Sequence, residues 1–281
     1  MVIRVLLDLL LIFIGLFLIT VYRALFPRHL PNTFTPRDLG LDYQEITFPA
    51  ADGKELSGWM ISSSSAKATI ICCHGYPANK SDILSTVSFL YPDFNLLLFD
   101  FRGHGDSQGR FVSFGLREDR DIRGAINYIK GKEEIKNLPI GIWGYSFGGA
   151  VAIKVSTQIE EVKALVTDST YASFPEMVIQ YYGDWGPLKY IFGTGGKLLA
   201  NIVFRRRLSQ LSPENFIGSI KTPILIIHAS EDPFVPVEHA RRLYRGAKEP
   251  KELLILSDTT HSPSMTEEYR ERIKNFFERH L

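Results

Sequence analysis

The chain has 281 residues, 45% of them hydrophobic, a formal net charge of +1 and two cysteines. That hydrophobic content suffices for one large α/β domain rather than two small ones. The near-neutral balance gives no electrostatic footprint for nucleic acid or a strongly acidic ligand. Cys72 and Cys73 are adjacent inside an apolar run, the pattern of small buried strand residues, so no disulfide framework is expected.

Residues 2–26 are the most apolar part of the chain, and 9–22 carry no charge. A comfortable membrane span needs about 20 apolar residues. Extending the run takes in Asp8 at one end and Arg23 at the other, where an arginine can snorkel to the interface. Three readings fit: a single-pass anchor over 1–26, a cleaved signal peptide, and a buried helix. The anchor is favoured because Tyr22 is too bulky for the small-x-small cleavage pattern before Leu25. Arg23, Arg28 and Arg37 after the run outnumber Arg4 and the amine before it, a weak tilt toward a cytoplasmic catalytic domain. Pro27, Pro31 and Pro36 mark 27–42 as an extended connector.

From residue 43 the pattern alternates. Strands are expected at 43–48 and 55–61, an antiparallel pair turning at Ala51-Asp52-Gly53. A buried strand at 68–73 runs into His74-Gly75-Tyr76-Pro77. A helix at 81–90, a strand at 95–99 and the glycine-rich loop 100–107 follow. Residues 116–130 have helical spacing, with Ile122, Ala125, Ile126 and Ile129 inward. Further strands are expected at 140–143, 162–166, 223–229 and 252–256, and helices at 237–246 and 267–281. Strands alternating with helices imply a mostly parallel sheet covered on both faces. Between about 170 and 220 the pattern loosens into a lid insertion crowded with aromatics, among them Tyr181, Tyr182 and Trp185. Such an insertion lies over the sheet's carboxyl edge. Its aromatics either line an apolar pocket or form the insertion's own core. Arg205-Arg206-Arg207 reads as a solvated face or as a contact for anionic lipid.

The chemistry centres on 139–149. An apolar strand breaks at Gly144-Tyr145-Ser146-Phe147-Gly148, and an apolar helix follows. Strand, sharp turn and helix are the setting in which Gly-x-Ser-x-Gly marks a nucleophile elbow. Ser146 then sits at the tip with a strained backbone. The flanking glycines avoid collisions with neighbouring backbone, and the Phe147 N–H becomes an oxyanion donor. A serine hydroxyl needs a general base to be nucleophilic at neutral pH.

With His74–Pro77, the 100–107 loop, Gly144–Gly149, His228–Pro236 and His261 in this order, the chain from 43 to 281 resembles the α/β-hydrolase fold. Within it, the chain resembles the membrane-anchored BEM46-like and serine aminopeptidase-like hydrolases. The resemblance implies a Ser-His-Asp triad in that chain order: Ser146 as nucleophile, His261 as base, in the loop 258–263 before the last helix, and Asp232 as the acid that holds the imidazole. Asp232 matches the family's Asp-x-x-Val-Pro, with Ala229 where a glycine is common. Asp168, after an earlier strand, is the alternative acid. The N–H of Tyr76 matches the second oxyanion donor, while His74, His104, Asp100 and Arg102 are expected to be scaffold. No cluster has metal-ligand spacing, so neither cofactor nor metal is implied.

These features together lead to a membrane-anchored serine hydrolase. It would cleave an ester, thioester or related acyl bond of a small or lipid-like substrate through an acyl-enzyme. A serine peptidase of the same fold and an inactive membrane-tethered binding protein are the alternatives, because one fold and triad serve many chemistries.

Overall fold

The computed structural model describes residues 1–257, 261 and 266–281. Among them eight strands form one sheet: β1 (Gln44–Pro49), β2 (Glu55–Ile61), β3 (Thr69–Cys73), β4 (Asn95–Phe99), β5 (Ile140–Tyr145), β6 (Val162–Asp168), β7 (Ile224–Ala229) and β8 (Lys251–Leu256). Their spatial order is β1-β2-β4-β3-β5-β6-β7-β8. The first two are antiparallel to their neighbours and β4 to β8 run parallel with β3. The helices are α1 (Val2–Leu25), α2 (Lys80–Val87), α3 (Asp119–Lys130), α4 (Phe147–Ser156), α5 (Phe174–Gln180), α6 (Leu188–Phe204), α7 (Glu238–Gly246) and α8 (Glu267–His280).

The buried strands read as unbroken apolar runs because both faces of the sheet are covered. Side chains alternate across a strand. Ile70 and Cys72 therefore face α2 and α8, packing with Leu84, Val87, Ile273 and Phe277. Ile71 and Cys73 face the opposite core, with Ile122 and Ile126 of α3 and Val151 of α4. That alternation keeps the two thiols apart, and both cysteines are free and buried. Edge strand β1 instead buries only Ile46 and Phe48.

Two helices begin later or end sooner than their spacing suggests. The expected helix at 116–130 starts at Asp119, because the buried Glu118 carboxylate accepts the N–H groups of Ser113 and Gly115 at 2.7 and 2.8 Å. Helix α2 stops at Val87 and tightens into a 3₁₀ turn over Ser88–Leu90. Its start is fixed by a capping box, in which Asn79 accepts from Ser81 N–H and Asp82 accepts from Asn79 N–H.

The connector is tied down along its length. Both ring nitrogens of His29 meet carbonyl oxygens, Gly105 O at 2.8 Å and Gly109 O at 2.9 Å. The Asn79 side chain donates to Leu30 O and Pro31 O.

A third apolar cluster lies over the carboxyl edge of the sheet. It joins Leu25 of α1 with Tyr171, Phe174, Phe204, Leu208 and Val235. Helices α5 and α6 pack together there as the expected insertion. The second half of α1 packs on them: Phe13 and Phe17 meet Phe192 at 4.5 and 5.9 Å between ring centres, and Thr20 Oγ1 lies 3.0 Å from the Tyr182 hydroxyl. The apolar N-terminal helix is thus long enough to cross a membrane and also a structural partner of the lid.

Candidate active site

The turn between β5 and α4 has the geometry its glycines demand. Ser146 has φ 49° and ψ −112°, a left-handed conformation that costs a non-glycine residue on the order of 1–3 kcal/mol. Surrounding backbone holds it there: Ser146 N–H donates to Asp168 O at 2.7 Å, and Ser146 O accepts from Ala150 N–H at 3.1 Å. A Cβ on Gly148 would come within 2.3 Å of Cys73 O, and one on Gly144 within 2.7 Å of Gly149. Neither contact could relax by a side-chain rotation, so the elbow closes only around glycine.

The loop after β3 approaches equally closely. A Cβ at Gly75 would lie 2.9 Å from the Tyr145 ring. Behind it, buried His74 bridges two loops, with Nδ1 2.6 Å from Gly75 O and Nε2 accepting from Phe101 N–H at 3.0 Å. This pairing fixes the Nδ1–H tautomer, and burial pushes the pKa of His74 down to about 4. Its imidazole is therefore neutral scaffold, as expected. The loop 100–107 is also scaffold: Asp100 accepts from Lys80 Nζ at 2.6 Å and from Asp106 N–H at 2.9 Å, and Arg102 forks between Asp52 and Asp121.

These constraints leave two backbone donors available. Among the described residues, neither Tyr76 N–H nor Phe147 N–H is taken up by a protein acceptor. Tyr76 follows Gly75, Phe147 opens α4, and both residues line the same cavity as Ser146.

Of the loop 258–263 expected to carry the base, only His261 lies among the described residues. Its Nδ1 is 2.5 Å from Asp232 Oδ2. The other carboxylate oxygen of Asp232 accepts the N–H groups of Phe234 and Val235 at 2.9 and 2.8 Å. His228 Nε2 donates to Val235 O at 2.6 Å and closes the same turn. Asp232 is thus held by its own loop with one oxygen left for the imidazole. The His261 carbonyl accepts from the Tyr145 hydroxyl at 3.1 Å, which links the position of His261 to the elbow strand.

The alternative acid makes no such contact. Asp168 is buried, with Oδ2 accepting from Tyr269 OH at 2.9 Å and Oδ1 from Ser169 Oγ at 3.0 Å. Burial raises its pKa to about 6, against the opposing pull of those two hydroxyls. No hydrogen bond joins Ser146 Oγ to His261 among the described residues, yet both face one cavity. Such catalytic bonds often tighten only when substrate is bound.

That cavity, of about 960 Å³, is roofed by the insertion. Of the three lid aromatics singled out from the sequence, Tyr181 and Tyr182 line it. Trp185 instead meets Phe192 edge-on, 4.6 Å between ring centres, and is itself exposed on the insertion's surface. The sequence reading did not place the residues around Leu25 and Phe26 on the cavity wall, nor Phe114. One signal was available: the apolar run resumes after Arg23 as Ala24-Leu25-Phe26-Pro27, which a polar tether would not need.

Comparison with known proteins agrees with this layout. A family model described as alpha/beta hydrolase fold matches residues 68–189, and one described as PhoPQ-activated pathogenicity-related protein matches 165–281. Protein YfhR of Escherichia coli (strain K12) is 33% identical over 246 residues, covering 83% of this chain and 80% of that protein. The alpha/beta hydrolase domain-containing protein WAV2 of Arabidopsis thaliana is 29% identical over 220 residues, covering 76% and 69%. Among solved structures, the Pyrococcus furiosus esterase Pf2001 superposes with a TM-score of 0.75 at 26% identity, over 91% of this chain and 99% of that one. With the sheet order, the elbow and these relatives in agreement, the chain belongs to the α/β-hydrolase family and is a hydrolase.

Proposed function

We propose that the protein is a membrane-anchored serine hydrolase that cleaves an ester or thioester with an apolar acyl group. Ser146 Oγ attacks the acyl carbon while His261 Nε2 takes its proton. Asp232 holds the Nδ1–H and stabilises the imidazolium without accepting the proton. The oxyanion is held by the N–H groups of Phe147 and Tyr76; one such donor is worth about 10²–10³ in rate. The carbonyl re-forms as the alcohol or thiol leaves with the proton from Nε2. Water, activated by the same imidazole, then releases the acid and restores Ser146.

The 2.5 Å contact between His261 Nδ1 and Asp232 carries this reading, because it orients an imidazole at the rim where a strained serine sits. The cavity favours an acyl substrate over a peptide N-terminus. No Asp or Glu side chain lines it among the described residues, so nothing there would pair with an ammonium group. The long apolar α1 supports the anchor.

The test is labelling of the full chain by a fluorophosphonate probe, with hydrolysis of p-nitrophenyl esters compared against amino-acid p-nitroanilides. Ser146→Ala is expected to lose labelling and to lower ester turnover by at least about a thousandfold. Undiminished labelling of that variant would remove Ser146 from the mechanism, and faster anilide than ester cleavage would favour a peptidase.

A further inference from the structure

Helix α6 carries two different faces. Phe192, Gly193, Gly196 and Phe204 are buried toward the lid core and the cavity. On the other side Leu188, Ile191, Leu198 and Ile202 form a stripe at helical spacing, and the last two are 64% and 65% exposed. Large apolar side chains in a contiguous exposed row mark a surface that meets something apolar.

Two observations identify the occupant. The first is direction. Along α1 and α6 the contacts advance together: Phe13 and Phe17 meet Phe192, Gly195 faces Phe17, and Phe26 reaches Phe204 through Phe111. The helices therefore run parallel, and the stripe continues the apolar surface of α1. The second is charge. Residues 188–207 contain Lys189, Lys197, Arg205, Arg206 and Arg207 and no acid. The three arginines are exposed at the C-terminal end of α6, the end where α1 carries Arg23 and the connector Arg28. An apolar stripe bordered by long cationic side chains is the composition of a helix lying in an anionic lipid interface.

Depth follows from the packing. With the two helices side by side, the layer that holds the uncharged run of α1 also borders the outer face of α6. The cavity lies directly behind, walled by Ile19 and Tyr22 of α1 and by Gly196 and Ala200 of α6.

We propose that the outer face of α6 lies in the interfacial layer of an anionic membrane beside α1, and that the cavity between the two helices takes its acyl chain directly from that leaflet. The proposal rests on the membrane reading of α1 and deepens the acyl-hydrolase reading by naming a lipid-phase substrate.

The experiment uses the full chain in vesicles of phosphatidylcholine and phosphatidylserine, with single cysteines carrying an environment-sensitive fluorophore. Cys72 and Cys73 are fully buried and burial pushes their thiols up, so they leave the background low. Quenching by brominated lipid is read at Ile14→Cys on α1, at Leu198→Cys and Ile202→Cys on α6, and at exposed Glu134→Cys beyond α3. Both α6 sites are expected to be quenched at least half as strongly as the α1 site, with Glu134→Cys unquenched. Replacing phosphatidylserine by phosphatidylcholine should at least halve the α6 signal. Quenching at Ile14→Cys with α6 as water-exposed as Glu134→Cys would overturn the proposal alone. An unquenched α1 site would overturn the anchor and the proposal together.

A second measurement reports the substrate route. Leu198→Glu/Ile202→Glu lies off the cavity wall. It should slow hydrolysis of a long-chain ester held in the vesicles about tenfold, with p-nitrophenyl acetate turnover unchanged. Equal turnover of the vesicle-held ester would overturn direct uptake from the leaflet. Loss of hydrolysis altogether in the parent chain would refute the hydrolase reading, while the quenching would still stand or fall by itself.

Discussion

The rim of the sheet and the roof above it are held by different forces. At the rim, each group that matters is fixed by buried polar bonds or by backbone that cannot yield. Asp232 takes two N–H groups of its own loop, Ser146 is pinned through Asp168 O, and His74 ties two loops with both ring nitrogens. Between α1 and the lid the roof is held mainly by ring contacts, such as Phe13 against Phe192, with the hydroxyl pair Thr20 and Tyr182, while polar bonds such as Gln180 to Pro233 O and Arg242 to Glu176 lie at the margin of α5. Hydrogen bonds set angles and distances, whereas apolar contacts are non-directional and tolerate sliding. Positional accuracy thus lies where the proposed chemistry needs it, and adaptability lies where the proposed acyl chain would fit.

This contrast is open to test, beginning with its largest consequence. Asp232→Asn should keep the fold and lower kcat about 10⁴-fold, because Asn favours the wrong imidazole tautomer; steady-state kinetics with a melting curve will show it. A loss below tenfold would take Asp232 out of the proposed triad.

Asp168→Asn, at the same rim, should behave in the opposite way. With a pKa near 6 in the fold and 3.8 as its ordinary value, the native state binds this proton more tightly than the unfolded chain. The stability contributed by Asp168 is therefore fully present below pH 4 and is lost as pH rises through about 6. The loss is about 3 kcal/mol by linkage. The Asn variant lacks this titration, so its unfolding free energy should gain on the parent by up to about 3 kcal/mol between pH 4 and pH 7, with kcat within tenfold. Denaturant unfolding across that range measures it. A collapse of kcat would instead make Asp168 the acid.

The smallest effect belongs to the roof. Tyr182→Phe removes the bond to Thr20 and should cost about 0.5–1.5 kcal/mol in stability. Its kcat/KM for long-chain esters should stay within about threefold of the parent. A tenfold change would show that the roof is as closely specified as the rim.

The residues of the rim are legible in the sequence because their requirements are local. An elbow needs glycine at 144 and 148 whatever surrounds it, and buried parallel strands must read as apolar runs such as Ile70–Cys73. Chain order and short motifs then nominated His261 and Asp232, and the fold brings those two together. The choice between Asp232 and Asp168 was not local. Both follow strands at the same edge, and only the packing of Tyr269 of α8 against Asp168 shows that one carboxylate is already engaged.

The roof was the least legible part. A run of apolar residues near the N-terminus states that it must leave water, without stating where it goes. In the structure half of that run covers the lid, and the segment after it walls the cavity. Glycine placement, strand periodicity and the order of Ser, Asp and His were determined by the sequence alone, since each expresses the steric or hydrogen-bonding needs of a few neighbouring residues. Which acid meets the imidazole, which aromatics face the cavity and what α1 packs against were decided only in three dimensions, because burial depends on residues far away along the chain.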